Sequence, residues 1–553
     1  MTRFYLIFIF VILSFSCNKG SDAKPVQTPQ PLNVVTLQIN GNTTAKYSNV
    51  TINPTIRFAF SVPVDHSSIS NNILFNEGSG ASVAYNATFA NNDSVIIIQP
   101  ASSLQYIKKY TIVLSTGLQS QQHVSLSSSF NQSFTTSIDS TDKFTRISDS
   151  ALLDLVQKQT FKYFWDFGDP VSGMARERNT DLTIAATGGT GFGIMAMVVA
   201  ANRGFVLRTD AVTRLLKIVN FLSVSALKYH GAFSHWINGA TGATIPFGTK
   251  DEGADIVETS YLMQGLLTAR QYFNSSSDAS EIDLRNKINL LWNGVEWNWF
   301  RQNNQNVLYW NWSPNYAWAV NVPIRGWNEA LITYVMAASS TSYSIPKTVY
   351  DSGYANNGGI KNGNVYYGIT LPLGPASGGP LFFAHYSFLG INPHSLTDAY
   401  ANYWTQDTAH TKINYNYCVS NPSGYNGYSN LCWGLTASDD NSSGYAAHSP
   451  TNDLGIITPS AAISSMPYAP SESMNALRFF YYKLGDKLWG QYGFTDAFNL
   501  TNIWFAPSYL AIDQGPQIIM IENYRSSLIW NLFMSCPEIK TGMHVLGFQS
   551  PNL

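Results

Sequence analysis

The period of the apolar residues changes once along this chain, and that change limits what it can fold into. From about 33 to 137 the period is two: in "PTIRFAFSV", Ile56, Phe58, Phe60 and Val62 alternate with polar or small residues. "SVIIIQP", "YTIVLST" and "FNQSFTT" continue it between Asn, Gly and Ser turns. Alternation buries one face of a strand, and short strands at this spacing predict a β-sandwich of about 100 residues. After "SIDSTDKF" the period becomes that of a helix, with Val212, Leu215, Leu216, Val219 and Leu222 recurring three and four apart. "SDSALLDLVQKQTFKYFWDF" opens on a Ser/Asp cap cluster and runs as a helix. Further helices are predicted near 190–203, 254–273, 281–300, 327–340, 394–412, 471–484 and 517–534, with weaker ones near 381–389 and 459–466. The linkers between them are long and rich in Gly, Asn, Tyr and Trp. Loops beyond about 15 residues in a compact domain are functional or disordered, and these are too aromatic for disorder. The pattern predicts an antiparallel ring of paired helices with the loops building one face, although no sequence repeat marks it.

Ahead of the sandwich, "MTRFYLIFIFVILSFSC" joins Arg3 to an apolar run from Phe4 to Phe15. A run under about 18 residues is too short to span a bilayer and reads as a signal peptide. "LSFSC" is similar to a bacterial lipobox, although Phe15 is large. The expectation is cleavage before Cys17 and lipid attachment at its thiol, with plain secretion as the alternative. Residues 1–17 are then signal and anchor, and the polar, Pro-rich stretch 18–32 is a tether. The sandwich occupies 33–140 and the helical domain 145–553. The expected location is the outer membrane or the periplasmic side of the envelope, with the membrane reached through the lipid only, and the expected state is a monomer. A formal charge of −2 offers no basic surface to nucleic acid. Cys418 and Cys432 bracket a Gly/Asn/Tyr loop that a disulfide could close, leaving Cys536 odd; three free buried thiols fit as well. No Cys/His spacing suggests a metal, and no cofactor is expected.

One stretch stands out in a chain with only 34 acids. "KDEGADIVETSYLMQGLLTARQYF" (250–273) gathers Asp251, Glu252, Asp255 and Glu258 at the mouth of an apolar helix. On a helical wheel Leu262, Leu266, Ala269 and Phe273 form one stripe, with Glu258 at its edge and Asp255 within it. Both carboxylates therefore extend a buried face rather than a solvated one. A carboxyl in a dry apolar site holds its proton to higher pH, whereas the helix N-terminus favours the anion. Asp255, nearer that end, is expected to stay charged, and Glu258, one turn in, is the better proton donor. Capping is the bland alternative: Asp251 or Asp255 at the N-cap, Glu258 completing a capping box. A second acid cluster, Asp439, Asp440 and Asp453, sits in "WGLTASDDNSSGYAAHSPTNDLGIITPSAA", where turn or calcium duty is the alternative. A third, "SGMARERNTDLTIAATGGTGFG", carries Arg176, Glu177, Arg178 and Asp181. Its glycines lack a βαβ context for dinucleotides and instead suit close helix approach or cavity space. "HWINGATG" adds His235 and Trp236; "LYWNWSPNYAWAVNVPIRGWNEA" adds Trp310, Trp312, Tyr316, Trp318, Arg325, Trp327 and Glu329. Trp alternating through loops suits a sugar platform better than a core, although each one taken singly fits a core as well.

These stretches, with "RGWNEALITYVMAASS", "CWGLTASD", "SSMPYAPSESMNALRFFY", "YGFTDAFN" and "IDQGPQIIMIENYRSSLIW", resemble the glucoamylase-like lipoproteins of Bacteroidetes over about 145–550. The sandwich resembles bacterial Ig-like modules through "FSVPVD" (60–65) and the closing "FTT" (134–136). The resemblance implies a mainly α protein: an (α/α)6 barrel after an Ig-like β-sandwich. It implies a hydrolase of β-1,2-glucan, endo-acting or sophorose-releasing, inverting and cofactor-free. It places the general acid at Glu258 and the opposing carboxylate in the loop after "WGLTAS", at Asp440 or Asp453 ahead of Asp439. Asp181 and Glu177 are expected to orient water or sugar hydroxyls. Asp255, Arg178, His235, Glu329, Trp236, Trp312, Trp318 and Trp327 are expected to bind sugar. The competing readings are a glycan-binding lipoprotein without hydrolysis and a hydrolase of another glucan such as α-1,4-glucan.

Overall fold

The computed structural model describes residues 28–553 apart from Ser79; the signal peptide and Cys17 lie outside the described residues. The chain divides into two compact units between Ser137 and Ile138.

The first unit is all β. Strands β1 (Val34–Ile39), β3 (Ile56–Phe60), β6 (Val95–Pro100) and β5 (Tyr85–Ala90) form one sheet in that order. Strands β2 (Tyr47–Val50), β8 (Phe130–Thr136), β7 (Lys109–Leu114) and β4 (Ile73–Glu77) form the other. Pairing is antiparallel except between β2 and β8. Period two does what it predicts: Ile56, Phe58 and Phe60 are buried while Arg57 and Ala59 are not. Phe58 is opposite Ile96, and the inward residues of both sheets, Phe75, Ile112 and Phe134 among them, share one core.

In the second unit, helices that are apolar all round are interior and helices with one stripe lie outside. The interior set is α2 (Thr187–Asn202), α4 (Ile256–Tyr272), α6 (Leu331–Ser339), α9 (Pro459–Ser464) and α11 (Ala511–Ser526). All of α6 and α9 and nearly all of the others are buried. Outside them run α1 (Asp149–Trp165), α3 (Arg208–Val224), α5 (Ala279–Asn293), α7 (Lys347–Ser352), α8 (Tyr403–Ser420), α10 (Pro470–Leu488), α12 (Leu528–Met534) and α13 (Pro537–Leu546). The inner helices meet in sequence: α11 on α2, α2 on α4, α4 on α6, and α9 on α11. Between α6 and α9 the sixth inner position is a pair of 3-10 turns, Leu381–Ala384 and Ser387–Leu389. Ser387 takes the Ile332 N–H at 3.0 Å, and His385 Nε2 lies 3.0 Å from Ser465 Oγ, which closes the ring. The closest crossing is α2 on α4, where a Cβ on Gly191 would lie 2.1 Å from the Tyr261 carbonyl oxygen and one on Gly265 2.2 Å from the Gly191 oxygen. Part of the glycine run is therefore for backbone contact.

Some boundaries differ from expectation. The segment 517–534 is two helices, because Ser527 takes a left-handed φ of 57°. The segment 281–300 ends at Asn293 and resumes as a 3-10 turn. Cys418, Cys432 and Cys536 are buried free thiols, so no disulfide closes the 418–432 loop.

Candidate active site

The inner helices begin at one end of the ring, and the loops that precede them enclose a cavity of about 450 Å³. Its wall takes Ala186 before α2, Glu258 and Tyr261 from α4, Glu329 before α6, Phe382 and Tyr386 from the 3-10 segment, and Ile512 from α11. The hairpin Ala437–Asp440/Gly444–Ala447 adds Tyr445, and the loop before α2 adds Glu177 and Arg178.

Asp255 and Glu258 show how a cap can also build a site. The short strand Ala254–Asp255 pairs with Asn311–Trp312, which stops the chain at Asp255 before α4 begins. Asp255 Oδ1 accepts the N–H groups of Val257 and Glu258, each at 2.9 Å. Its Oδ2 accepts from Trp310 Nε1 at 3.2 Å and lies 2.9 Å from His235 Nδ1. His235 Nε2 is then 3.9 Å from Glu258 Oε1. The other Glu258 oxygen accepts the Gly188 N–H at 2.6 Å, a free donor of the first turn of α2. A Cβ at Gly188 would stand 2.6 Å from that oxygen, so glycine is what leaves room for the carboxyl.

Burial pushes the Glu258 carboxyl up to about 7; His235 opposes the rise and the Asp255 charge adds to it. His235 is raised to about 9: burial works against its cation, but the Glu258 and Asp255 carboxylates outweigh it. Glu329, across the α4–α6 junction, is also pushed to about 7 by burial and by the Asp255 and Glu258 charges. The site thus holds carboxyl groups that keep protons near neutrality beside a retained cation.

On another part of the wall, Arg178 forks onto Glu177, Nε to Oε2 at 2.7 Å and Nη2 to Oε1 at 3.2 Å. Its Nη1 donates to Asp439 Oδ1 at 3.1 Å. Aromatic faces complete the cavity: Trp236, Trp310, and Phe247 stacked 4.1 Å over His235.

Of the residues singled out from the sequence, Glu258, Glu177, Arg178, His235, Trp236, Trp310 and Glu329 line the cavity, with Asp255 directly beneath. The others are elsewhere. Asp181 accepts from the N–H groups of Thr183 and Ile184 and shapes the turn into α2. Asp440 holds its own hairpin turn through Ser442 and Ser443, whose donors keep its carboxyl well below the usual range despite burial. Asp453 is taken up by the Tyr417 and Tyr428 hydroxyls and the Gly455 N–H. Trp327 is core, packed against Phe388 and Tyr403. Trp312 and Trp318 pack around Trp299 outside the cavity. The residues that sequence reasoning passed over are Phe247, Tyr261, Phe382, Tyr386 and Tyr445, none of which carried a local signal. Among the described residues, no group of three or more His, Cys, Asp or Glu side chains could hold a metal ion.

Fold and site together define a class: a ring of helices with an acid-bearing, aromatic-walled cavity at the helix N-termini, in a chain that also carries a β-sandwich unit. Within that class, the chain belongs to the glucoamylase-like family. The family model described as "Putative glucoamylase" matches residues 321–537, and one described as a bacterial Ig-like domain matches 29–136. An exo β-1,2-glucooligosaccharide sophorohydrolase (non-reducing end) of Parabacteroides distasonis is 47% identical over 422 residues, which are 72% of this chain and 58% of that protein. The chain thus spans a little over half the length of that curated relative. Among solved structures, a Bacteroides uniformis protein of the same glucoamylase description is 56% identical, with a TM-score of 0.73 over 74% of this chain and 100% of the other. The endo-β-1,2-glucanase of Chitinophaga pinensis, in complex with sophorotriose and glucose, is 49% identical, with a TM-score of 0.72 over 74% and 100%.

Proposed function

We propose that this protein hydrolyses β-1,2-glucan with inversion, Glu258 acting as general acid. The observation that carries the reading is the Glu258 carboxyl itself: buried in the cavity wall, fixed by the Gly188 N–H and flanked by His235. One oxygen is held, and the proton on the other is available to a leaving glycosidic oxygen. Inversion needs a second carboxylate with room for a water between the two, about 6.5–9.5 Å apart. Glu177 takes that role: it faces the same cavity, and the Arg178 fork holds both of its oxygens and aims it. The aromatic faces supply stacking for glucosyl rings, and relatives acting on β-1,2-glucan or its oligosaccharides support the linkage. Reducing-sugar release from β-1,2-glucan, followed by polarimetry or proton NMR of the first product, tests this; newly formed α-anomer is expected, and β-anomer overturns inversion.

We further propose that the protein is lipid-anchored in the cell envelope, on the strength of Arg3, the Phe4–Phe15 run and Cys17. Mass spectrometry of the mature N-terminus, with Cys17→Ala as control, is expected to find an acylated Cys17; an unmodified N-terminus elsewhere overturns the anchor.

A further inference from the structure

Behind the Glu177 wall lies a pair of acids with no part in the chemistry above. Asp496 and Asp513, from the loop after α10 and the first turn of α11, are 3% and 4% exposed, and their carboxyl groups meet. Each has one oxygen satisfied from outside. Asp496 Oδ2 accepts the Asp439 N–H at 2.7 Å, and Asp513 Oδ1 accepts the Ser460 hydroxyl at 3.0 Å. The remaining oxygens, Asp496 Oδ1 and Asp513 Oδ2, are buried with no other donor. The titratable groups facing the pair are Asp439 and Tyr445 from the hairpin, Glu177 from the loop before α2, and Tyr386 and His385 from the 3-10 segment, the last lining a small cavity with Asp513. Arg178 lies beyond, on the far side of Asp439. Two anions this close and this buried would repel each other and Asp439, so the carboxyls ionise one at a time.

We propose that Asp496 and Asp513 share one proton and act as positioning residues. Closed by that proton, the pair holds the Asp439 backbone, and Asp439 fixes Arg178 and Glu177 at the cavity wall. The links are all on hand: Asp439 N–H to Asp496, Arg178 Nη1 to Asp439 Oδ1, and the Arg178 fork to Glu177. Asp439 Oδ2 also accepts the Ser508 hydroxyl, which leaves that carboxylate one orientation. Burial, with the neighbouring charges, holds both members of the pair above the usual carboxylate range, as a shared proton requires. The inference rests on the reading of Glu177 as the opposing carboxylate.

Two variants of the purified full-length protein test it. Asp513→Asn replaces the protonated carboxyl by a neutral donor of the same shape, whereas Asp513→Ala leaves Asp496 buried and unpartnered. On β-1,2-glucan the Asn variant is expected to keep kcat within about threefold of the parent, and the Ala variant to lose about tenfold or more in kcat with KM within about twofold. Rescue by Asn separates a shared proton from a required charge, and the kcat loss at constant KM separates positioning from general destabilisation. The Tm profile gives a readout independent of substrate. The native pair binds more protons than the unfolded chain above the ordinary carboxylate range, so stability falls as pH rises through it, more shallowly in the Asn variant. The inference is overturned by an Asn variant as impaired as the Ala one, by wild-type kcat in the Ala variant, or by identical Tm slopes. If the Ala variant does not fold, the Asn kinetics and the Tm slopes decide. No product from the parent on any glucan overturns the hydrolytic reading instead, and the Tm slopes still judge the pair.

Discussion

At the scale of residues, the account turns on one carboxyl and its neighbours. Glu258→Gln keeps the Gly188 hydrogen bond but removes the transferable proton, so kcat is expected to fall by about 10²–10⁴ while oligosaccharide binding persists, as read by kinetics and calorimetry. Glu258 must be protonated to act as an acid, and burial raises it to about 7. The kcat/KM profile should therefore fall as pH rises through about 7; a flat profile there speaks against the assignment. Stability shares that sign from this group: the native state binds the extra proton between the ordinary glutamate range and about 7, and its advantage shrinks as pH rises across that window. Gly188→Ala forces the added carbon toward Glu258 Oε2 and is expected to cost activity far more than stability, with kcat and Tm measured side by side. The sequence made Glu258 and Asp255 visible because acids on an apolar stripe are expensive unless they have a task. Asp440 and Asp453 stand out only as a loop cluster and through the resemblance; the first is buried on its own hairpin turn and the second is half-buried against two tyrosine hydroxyls, hydrogen bonding that composition cannot distinguish from a cleft.

Elements explain why that carboxyl sits where it does. α2 and α4 approach to backbone contact at Gly191 and Gly265, which brings the first turn of α2 over Glu258. Gly191→Ala would place its Cβ against the Tyr261 carbonyl, an overpacked site that yields only by parting two inner helices. A loss of about 1–3 kcal/mol or more is expected, read as a lowered midpoint in urea. Asp453→Asn is expected to lower that midpoint too but to leave kcat within about threefold, since its partners are structural tyrosines. Helices with a clear apolar stripe, such as α3, were legible from periodicity. The 3-10 segment was legible only as a weak helix, because Pro380 and Gly390 bracket a stretch too short for an α-helix. Tyr386 and Tyr445 left no trace in any local pattern; the ring alone brings them to the cavity.

For the whole molecule, the change of period at about residue 140 marked the division into two units, and every residue that lines the cavity belongs to the second. A chain of residues 138–553 is therefore expected to hydrolyse glucan with kcat within about twofold of the full protein, by reducing-sugar assay. The Ig-like unit would then bear on where the protein works rather than on what it does. The central claim is tested most directly by product analysis of the purified protein on linear β-1,2-glucan, laminarin and soluble starch, with Glu258→Gln in parallel. The account predicts oligosaccharides from β-1,2-glucan alone and none above background from the variant. Products from laminarin or starch, or an active Glu258→Gln, would contradict it.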